Sequence, residues 1–202
     1  MKKLYTIMLA AVFSILLGLT GFAEQKLGVP QNLLGKDKLH FFSGCDTDIY
    51  SDLKSSNEKV LTLQKTKRNG MVWVTAKIKK SGKATVSFKS GDDQEKFTVY
   101  VVKYANPFKS LKIGNKNYAS KFKKSFAYHK IPRGTSGKLK FSIKKGWKLV
   151  NIYKMNTSTA AVAKKIKKGS KVKFAKKDVI EIDLMNKKDG FTWAFYLTCK
   201  AW

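Results

Sequence analysis

The stretch KKSGKATVSFKSG, residues 79–91, decides the fold. Its Gly82-Lys83 pair stands among many lysines and invites comparison with a phosphate-gripping loop. A P-loop needs G-x-x-x-x-G-K-[ST], because consecutive backbone N–H groups must wrap the phosphates and a helix must follow at once. Lys77 stands where that pattern requires its first glycine, and Ala84 occupies the Ser/Thr position. From there the chain alternates instead, with Ala84, Val86 and Phe88 on one side and Thr85 and Ser87 on the other. That period of two predicts a half-buried β-strand, entered through a turn at residues 80–83.

Outward from this strand, short β-rich runs recur at residues 60–63, 71–78 and 97–102. Gly70, Gly82 and SGDDQE (90–95) separate them as turn signals. A strand roughly every 10 residues suits a β-sandwich. The segments SSNEKVLTL, VTAKIKKSGKATVSFKSG and FTVYVV resemble the bacterial immunoglobulin-like domain of group 2. Ser55, Ser56, Asn57, Val60, Val74, Thr75, Ala76, Gly82, Ala84, Thr85 and Val86 occupy its matching positions, and the resemblance covers about residues 37–103. It implies an Ig-like sandwich of adhesion type. HFFSGCDTDIYSDL stands where that family has a longer pair of opening strands, which predicts a missing or displaced strand. The matching positions are structural: Gly82 permits a tight turn, Ala84 and Val86 pack inward, and residues 55–57 form side-chain-to-backbone turns.

From Tyr104 the character changes. NPFKSL gives a proline-marked entry, and GKLKFSIKKGWKLVNIYKM predicts two strands around Lys144-Lys145-Gly146. Leu139, Phe141 and Ile143 alternate there with Lys138, Lys140, Ser142 and Lys144. VIEIDLMNKKDGFTWAFYL predicts a hairpin, with Ile180, Ile182 and Leu184 facing one way and Asp189-Gly190 turning into an aromatic strand. TSTAAVAKKIKKGS, residues 157–170, predicts a helix or a long loop stopped by Gly169. Residues 104–202 therefore form a second all-β domain with Trp147, Trp193 and Phe195 in its core. FKSLKIGN (108–115) resembles the cadherin-like β-sandwich found beside bacterial Ig-like modules.

MKKLYTIMLAAVFSILLGLTGFAEQ opens with two lysines, runs apolar from Leu4 to Leu19 and offers Gly21-Phe22-Ala23. Small residues at −3 and −1 of a cut after Ala23 predict a secretory signal peptide. Retention as a membrane anchor is the competing reading, since the apolar run is nearly long enough to span. No cysteine lies beside the cut for lipid attachment, and the final FYLTCKAW adds no second anchor. The expectation is an all-β chain of two tandem β-sandwich (Ig-like) domains after a cleaved signal peptide. Its parts are 1–23 signal peptide, 24–36 linker, 37–103 and 104–202. The product is secreted or extracellular, including the cell wall, with no integral membrane segment after cleavage.

Cys45 and Cys199 lie far apart. A disulfide suits an exported protein. Two buried single thiols suit the sequence equally, since Cys199 continues the alternation Phe191, Trp193, Phe195, Leu197. There is no C-x-x-C, and His40 and His129 are isolated, so neither a metal nor a cofactor is expected. Asp46, Asp48 and Asp52 lack the rest of a calcium-loop pattern.

Charge is the strongest signal. The 202 residues carry 42 Lys/Arg against 13 Asp/Glu, a net charge of +29, and a cut after Ala23 leaves +27. Residues 37–103 hold 13 basic and 8 acidic side chains, whereas residues 104–202 hold 25 and 4. Between Lys96 and Lys177 there are 24 basic residues and no acid. Solubility and protection of sheet edges explain lysine in general. They do not explain an 82-residue window without a carboxylate. A surface for polyanions does, whether wall teichoic acid, acidic glycans, nucleic acid or anionic lipid. Lys123, Lys124, Lys144, Lys145, Lys164, Lys165, Lys167 and Lys168 are the candidate contacts. Nucleic acid is disfavoured because no recognition helix, RNP-like aromatic strand or OB pattern is present. Arg133 is the one arginine after residue 103, and arginine is the preferred bidentate phosphate reader.

Catalysis finds little support. Glycan hydrolysis needs two carboxylates placed across a bond. The acids after residue 103 are Asp178, Glu181, Asp183 and Asp189, all in or beside one hairpin, with Glu181 and Asp183 on its expected solvent face. His129 has no serine at a signature spacing. The expected function is a secreted, non-enzymatic, surface-associated binding or adhesion module whose basic face meets an anionic cell-wall polymer or acidic glycan. The alternative is an accessory of a secreted glycan-processing enzyme, or a carbohydrate-binding module using exposed aromatics.

Overall fold

The computed structural model of the protein describes residues 26–30, 39–44, 50–68, 70–123, 129–156 and 163–199. The chain is all-β and divides into two compact units between Lys103 and Tyr104. The residues expected to form a signal peptide lie outside the described ones, as do Cys45, Asp46, Asp48 and Lys124. Among the described residues no helix is long and apolar enough to cross a membrane.

Among its described residues the first unit has seven strands: β1 (Lys26–Pro30), β2 (Leu39–Gly44), β3 (Tyr50–Ser55), β4 (Leu61–Arg68), β5 (Met71–Ile78), β6 (Gly82–Ser90) and β7 (Asp93–Val102). They form two sheets, ordered β1-β7-β6-β3 and β2-β5-β4. The alternation seen in the sequence becomes the core: Val72, Val74 and Ala76 of β5, Ala84 and Val86 of β6, and Val99 and Val101 of β7 are buried. Phe41 meets Phe97 edge-on at 5.3 Å between ring centroids.

Two expectations change here. Residues 24–36, expected as a linker, contain β1, which runs parallel to β7 from Lys26↔Thr98 to Pro30↔Val102. KLGVP is too short to display alternation, and only the open backbone edge of β7 makes it a strand. The SGDDQE turn shrinks to Gly91-Asp92, because Asp93, Gln94 and Glu95 already pair across from Ser90, Lys89 and Phe88.

The Ser-Ser-Asn segment stitches the β3–β4 connection onto the start of β6. The Ser56 hydroxyl accepts the Thr85 N–H at 2.8 Å, and the Ser56 N–H donates to Thr85 O at 2.9 Å. The Asn57 amide donates to Lys83 O at 3.4 Å, while its own N–H reaches the Ser55 hydroxyl at 3.3 Å. These bonds press Val60 onto Gly82. A Cβ on Gly82 would lie 2.6 Å from Val60 Cγ2, and Gly82 adopts φ +151°. Gly82 therefore opens β6 as a point of close approach, rather than sitting inside the turn.

The second unit begins with β8 (Phe108–Ile113) and β9 (Lys116–Asn117), followed by a 3₁₀ turn (Ala119–Phe122) and β10 (His129–Lys130). Then come β11 (Ser136–Ile143), β12 (Trp147–Asn156), β13 (Lys164–Lys165), β14 (Lys171–Lys173), β15 (Asp178–Asn186) and β16 (Thr192–Thr198). The sheets are β10-β16-β15-β12-β13 and β14-β11-β8-β9. β11 and β12 fall in different sheets, so Lys144-Lys145-Gly146 crosses the sandwich instead of closing a hairpin. The β15–β16 hairpin pairs from Val179↔Thr198 to Met185↔Thr192 and turns its Ile180, Ile182 and Leu184 inward.

Aromatic rings fill the space between these sheets. Phe195 is 0 %, Trp193 4 % and Trp147 9 % exposed, as their alternation predicts. Phe108 packs edge-on against Phe195 at 5.3 Å, and Trp147 lies 5.2 Å from Trp193. Tyr104 stacks on Trp193 at 5.9 Å and donates its hydroxyl to Phe122 O at 2.6 Å. The helix alternative for residues 157–170 fails over its described part. Lys164–Lys165 is a strand paired with Tyr153 and Lys154, and Ile166 N–H reaches Ile152 O at 2.9 Å. The open edge of β12 takes up Lys164 and Lys165, while Ala160 and Ala161, which suggested a helix, lie outside the described residues.

Among the described residues, the edge strands of this unit are short and carry lysine: β9, β10, β13 and β14. Such strands resist edge-to-edge association with other chains.

Gly82→Ala should destabilise the protein by about 2–4 kcal/mol, the sum of overpacking and positive-φ strain. Adding Val60→Ala should restore part of that loss, giving clear non-additivity in a denaturation cycle. Strict additivity would show that Val60 and Gly82 are not pressed together.

Candidate anion-binding surface

The alternation that builds the core of the second unit also builds its outer face. In β11 Leu139 and Phe141 are buried, so Lys138 and Lys140 stand exposed between and beside them. In β8 Leu111 and Ile113 are buried and Lys112 is exposed; in β14 Val172 is buried and Lys171 and Lys173 are exposed. Register then sets Lys138 opposite Lys171 and Lys140 opposite Lys112. Directly opposed residues hold their Cβ atoms about 4.5–5.5 Å apart, and like charges so placed destabilise a sheet. No carboxylate occurs on any of these three strands. The next row is neutral, with Ser110 and Ser142 hydroxyls 2.8 Å apart.

Of the eight lysines singled out in the sequence, none belongs to β8, β11 or β14, and the seven described ones lie on other elements. Lys123 ends the 3₁₀ turn. Lys144 and Lys145 lie on the β11–β12 crossing, where Gly146 O accepts the Lys187 N–H at 2.8 Å. Lys164 and Lys165 form the edge strand β13, and Lys167 and Lys168 follow it, the Lys168 ammonium 5.5 Å from the Phe141 ring centroid. These seven are exposed, and they are spread over separate elements. Adjacent lysines catch the eye, but adjacent strand residues point to opposite faces. A cationic face needs lysines at i and i+2, matched across strands by register. The signal that finds it is KLK at 138–140.

The acids have a different geography. Glu181 stands between Tyr153 and Tyr196 across β12, β15 and β16, and Asp183 stands between Asn151 and Ala194. The two carboxyls were expected on a solvent face, yet both are half-buried and hydrogen-bonded to each other. Burial first, then the Asp183 charge, pushes Glu181 up to about 7, while the Tyr196 hydroxyl opposes the shift. Burial also raises Asp183, restrained by hydrogen bonds from Glu181 and the Asn151 amide. The tyrosines opposite Glu181 come from β12 and β16, so they cannot be read from β15 alone.

Asp178 opens β15 and is buried. Burial opposes its charge, but the Ala175 N–H, the Asn156 amide and the Lys154 ammonium at 3.1 Å hold its carboxyl below the usual range. Cys199 is half-buried just past β16, not a deep core residue, and is a free thiol 3.8 Å from Pro132 O. Burial and the nearby Asp178 charge push that thiol up, away from thiolate reactivity. Among the described residues no group of three or more His, Cys, Asp or Glu gathers as a metal set. In unit one Asp52 pairs with Lys89 at 3.4 Å.

No protein-family model matches the chain, and no curated protein matches it. Among solved structures, mouse clustered PcdhgC3 EC1-3 is similar at 13% sequence identity with a TM-score of 0.31, over 86% of this chain and 64% of that one. The chain thus spans less than two-thirds of that structure's length.

The Glu181 shift has a definite sign. A carboxyl held protonated by the fold contributes stability that is complete below its unfolded value of about 4.3 and is lost as pH rises through about 7. Glu181→Gln should therefore gain thermal stability relative to the parent as pH rises across that window. Asp178, shifted downward, acts only below it. Parallel melting curves for the two proteins from acid to neutral pH would contradict the assignment.

Proposed function

We propose that the protein is an exported, non-enzymatic binding module that attaches to anionic polymers of a cell envelope, such as phosphate-bearing wall polymers or acidic glycans. The observation that supports this most is the opposition of Lys138 to Lys171 and of Lys140 to Lys112. Edge protection accounts for lysine on β9, β10, β13 and β14. It does not account for lysines on β8 and β11, which have a neighbour on each side and gain nothing from repelling one another. An anionic chain lying across the face turns that repulsion into attraction. The acid-free window from Lys96 to Lys177 supports the same reading. The resemblance of about residues 37–103 to the group 2 bacterial Ig-like domain supports an adhesive setting, and the leader-like pattern of residues 1–23 supports export.

The Glu181–Asp183 pair supports a non-catalytic role. Its carboxyls bond to each other, leaving no gap of about 5 Å or more for a glycosidic bond. A second reading, carbohydrate binding through aromatics, draws on the Tyr153–Glu181–Tyr196 row. Both tyrosines are half-buried, which leaves less ring surface for stacking on a sugar.

Retention on an immobilised poly(glycerol phosphate) or polyuronate should fall steeply between physiological and 1 M salt, as the Debye length contracts from about 8 Å to about 3 Å. Replacing Lys112, Lys138, Lys140 and Lys171 together with Gln should lower retention by about tenfold or more and flatten the salt dependence. The same variant should melt no lower than the parent, because opposed charges are removed. Retention that survives 1 M salt unchanged rules out electrostatic attachment and favours neutral-sugar stacking.

A further inference from the structure

A cavity of about 400 Å³ borders β9, at the edge of the lysine-bearing sheet. Lys116 of β9, Lys121 and Ser120 of the 3₁₀ turn and Lys130 of β10 line it together with Tyr118 and Ile131. β9 and β10 belong to different sheets, so three ammonium-bearing arms from three elements converge on one concavity. Their bases are fixed. Asn117 Oδ1 accepts the N–H groups of Leu111 and Ala119, each at 3.1 Å, and Tyr118 N–H donates to Leu111 O at 2.6 Å. On the other side Ile131 N–H donates to Thr198 O at 2.8 Å. Tyr118 and Ile131, each 1 % exposed, supply an apolar wall, and the Lys116 ammonium lies 6.0 Å from the Tyr118 ring centroid.

We propose that this cavity binds the phosphate ester of a small polyol or sugar, either free or as the end of the polymer attracted by the neighbouring lysine face. The inference rests on the polyanion reading of that face and names the chemical unit recognised beside it. Among the described residues, no acid lines the cavity. Lysine acts on phosphate as a compact point charge, and a phosphate monoester carries about −1.5 to −2 charge at pH 7 against −1 for a carboxylate, so three converging ammonium groups favour it. Small-molecule pockets span about 300–1,000 Å³, so the volume exceeds what inorganic phosphate needs and has room for the attached polyol or sugar. The C–H edges of that group face Tyr118 and Ile131, and Ser120 offers a hydroxyl.

The test is calorimetric titration of the full chain with glycerol phosphate, with inorganic phosphate as the probe of the anion alone. Saturable binding of the ester, tighter than that of inorganic phosphate, is expected. Combined Lys116→Gln, Lys121→Gln and Lys130→Gln should weaken ester binding by about tenfold or more. Combined Lys138→Gln and Lys140→Gln should lower polymer retention and leave the ester titration unchanged. All five lysines are exposed, so the variants should fold. Competition by an oligo(glycerol phosphate) assigns the cavity to the polymer end, and its absence assigns it to the free ester. Failure to saturate up to about 10 mM ester, or identical titrations for parent and triple variant, overturns the cavity proposal and leaves salt-sensitive polymer attachment standing. Intact ester binding with salt-insensitive polymer retention overturns the reading of the face instead.

Discussion

The rest of this structure depends on keeping ammonium groups in water. With 42 basic residues against 13 acids, most lysines have no carboxylate to meet, and each must reach solvent from wherever the chain puts it. A β-strand meets that demand at low cost, because every second side chain leaves the core. Leu139-Lys140-Phe141 shows the outcome in three residues: 0 % exposed, exposed, 5 % exposed. The same demand sets the edges of the second unit, where strands of two or three residues each carry lysine. Hydrophobic packing then supplies cohesion from a limited set of residues, and in the second unit aromatic rings carry much of it. Large rings bury more area per residue than aliphatic side chains, which suits a chain so rich in lysine.

Strand identity was legible because the alternation is strict. Ala84, Val86 and Phe88 in β6 and Ile180, Ile182 and Leu184 in β15 lie where their period of two places them. Connections were less legible. Lys144-Lys145-Gly146 has the composition of a hairpin turn, and its crossing between sheets depends on which backbone edges its strands find. The same holds for β1 and β13, whose few residues become strands only through partners distant in sequence. Gly82 was legible as a special glycine. Its reason, the approach of Val60, needed the fold.

The lysines on which the proposed surface rests are not the ones that stand out in the sequence. The acid-free window pointed to a cationic face, but doublets such as Lys144-Lys145 and Lys164-Lys165 drew attention away from the alternating Lys138 and Lys140. Which lysines oppose each other is a property of register, and register depends on turns and bulges such as the one between Ser142 and Ile143. The half-buried Glu181–Asp183 pair was hidden for a similar reason. Its environment comes from Tyr153 and Tyr196 on neighbouring strands, not from β15 itself.

The parallel pairing of β1 with β7 links the opening of the first unit to its end. Lys26 has no strand partner until Thr98 has been made, and Pro30 none until Val102. A chain emerging N-terminus first must therefore hold β1 unpaired through the synthesis of the whole unit. Joining ends so far apart is entropically slow compared with closing the β4–β5 or β6–β7 hairpin. If the chain is exported, as proposed above, and crosses unfolded, delayed closure is useful. The leading segment stays threadable until the last strand arrives, and the sandwich seals only when the unit is complete.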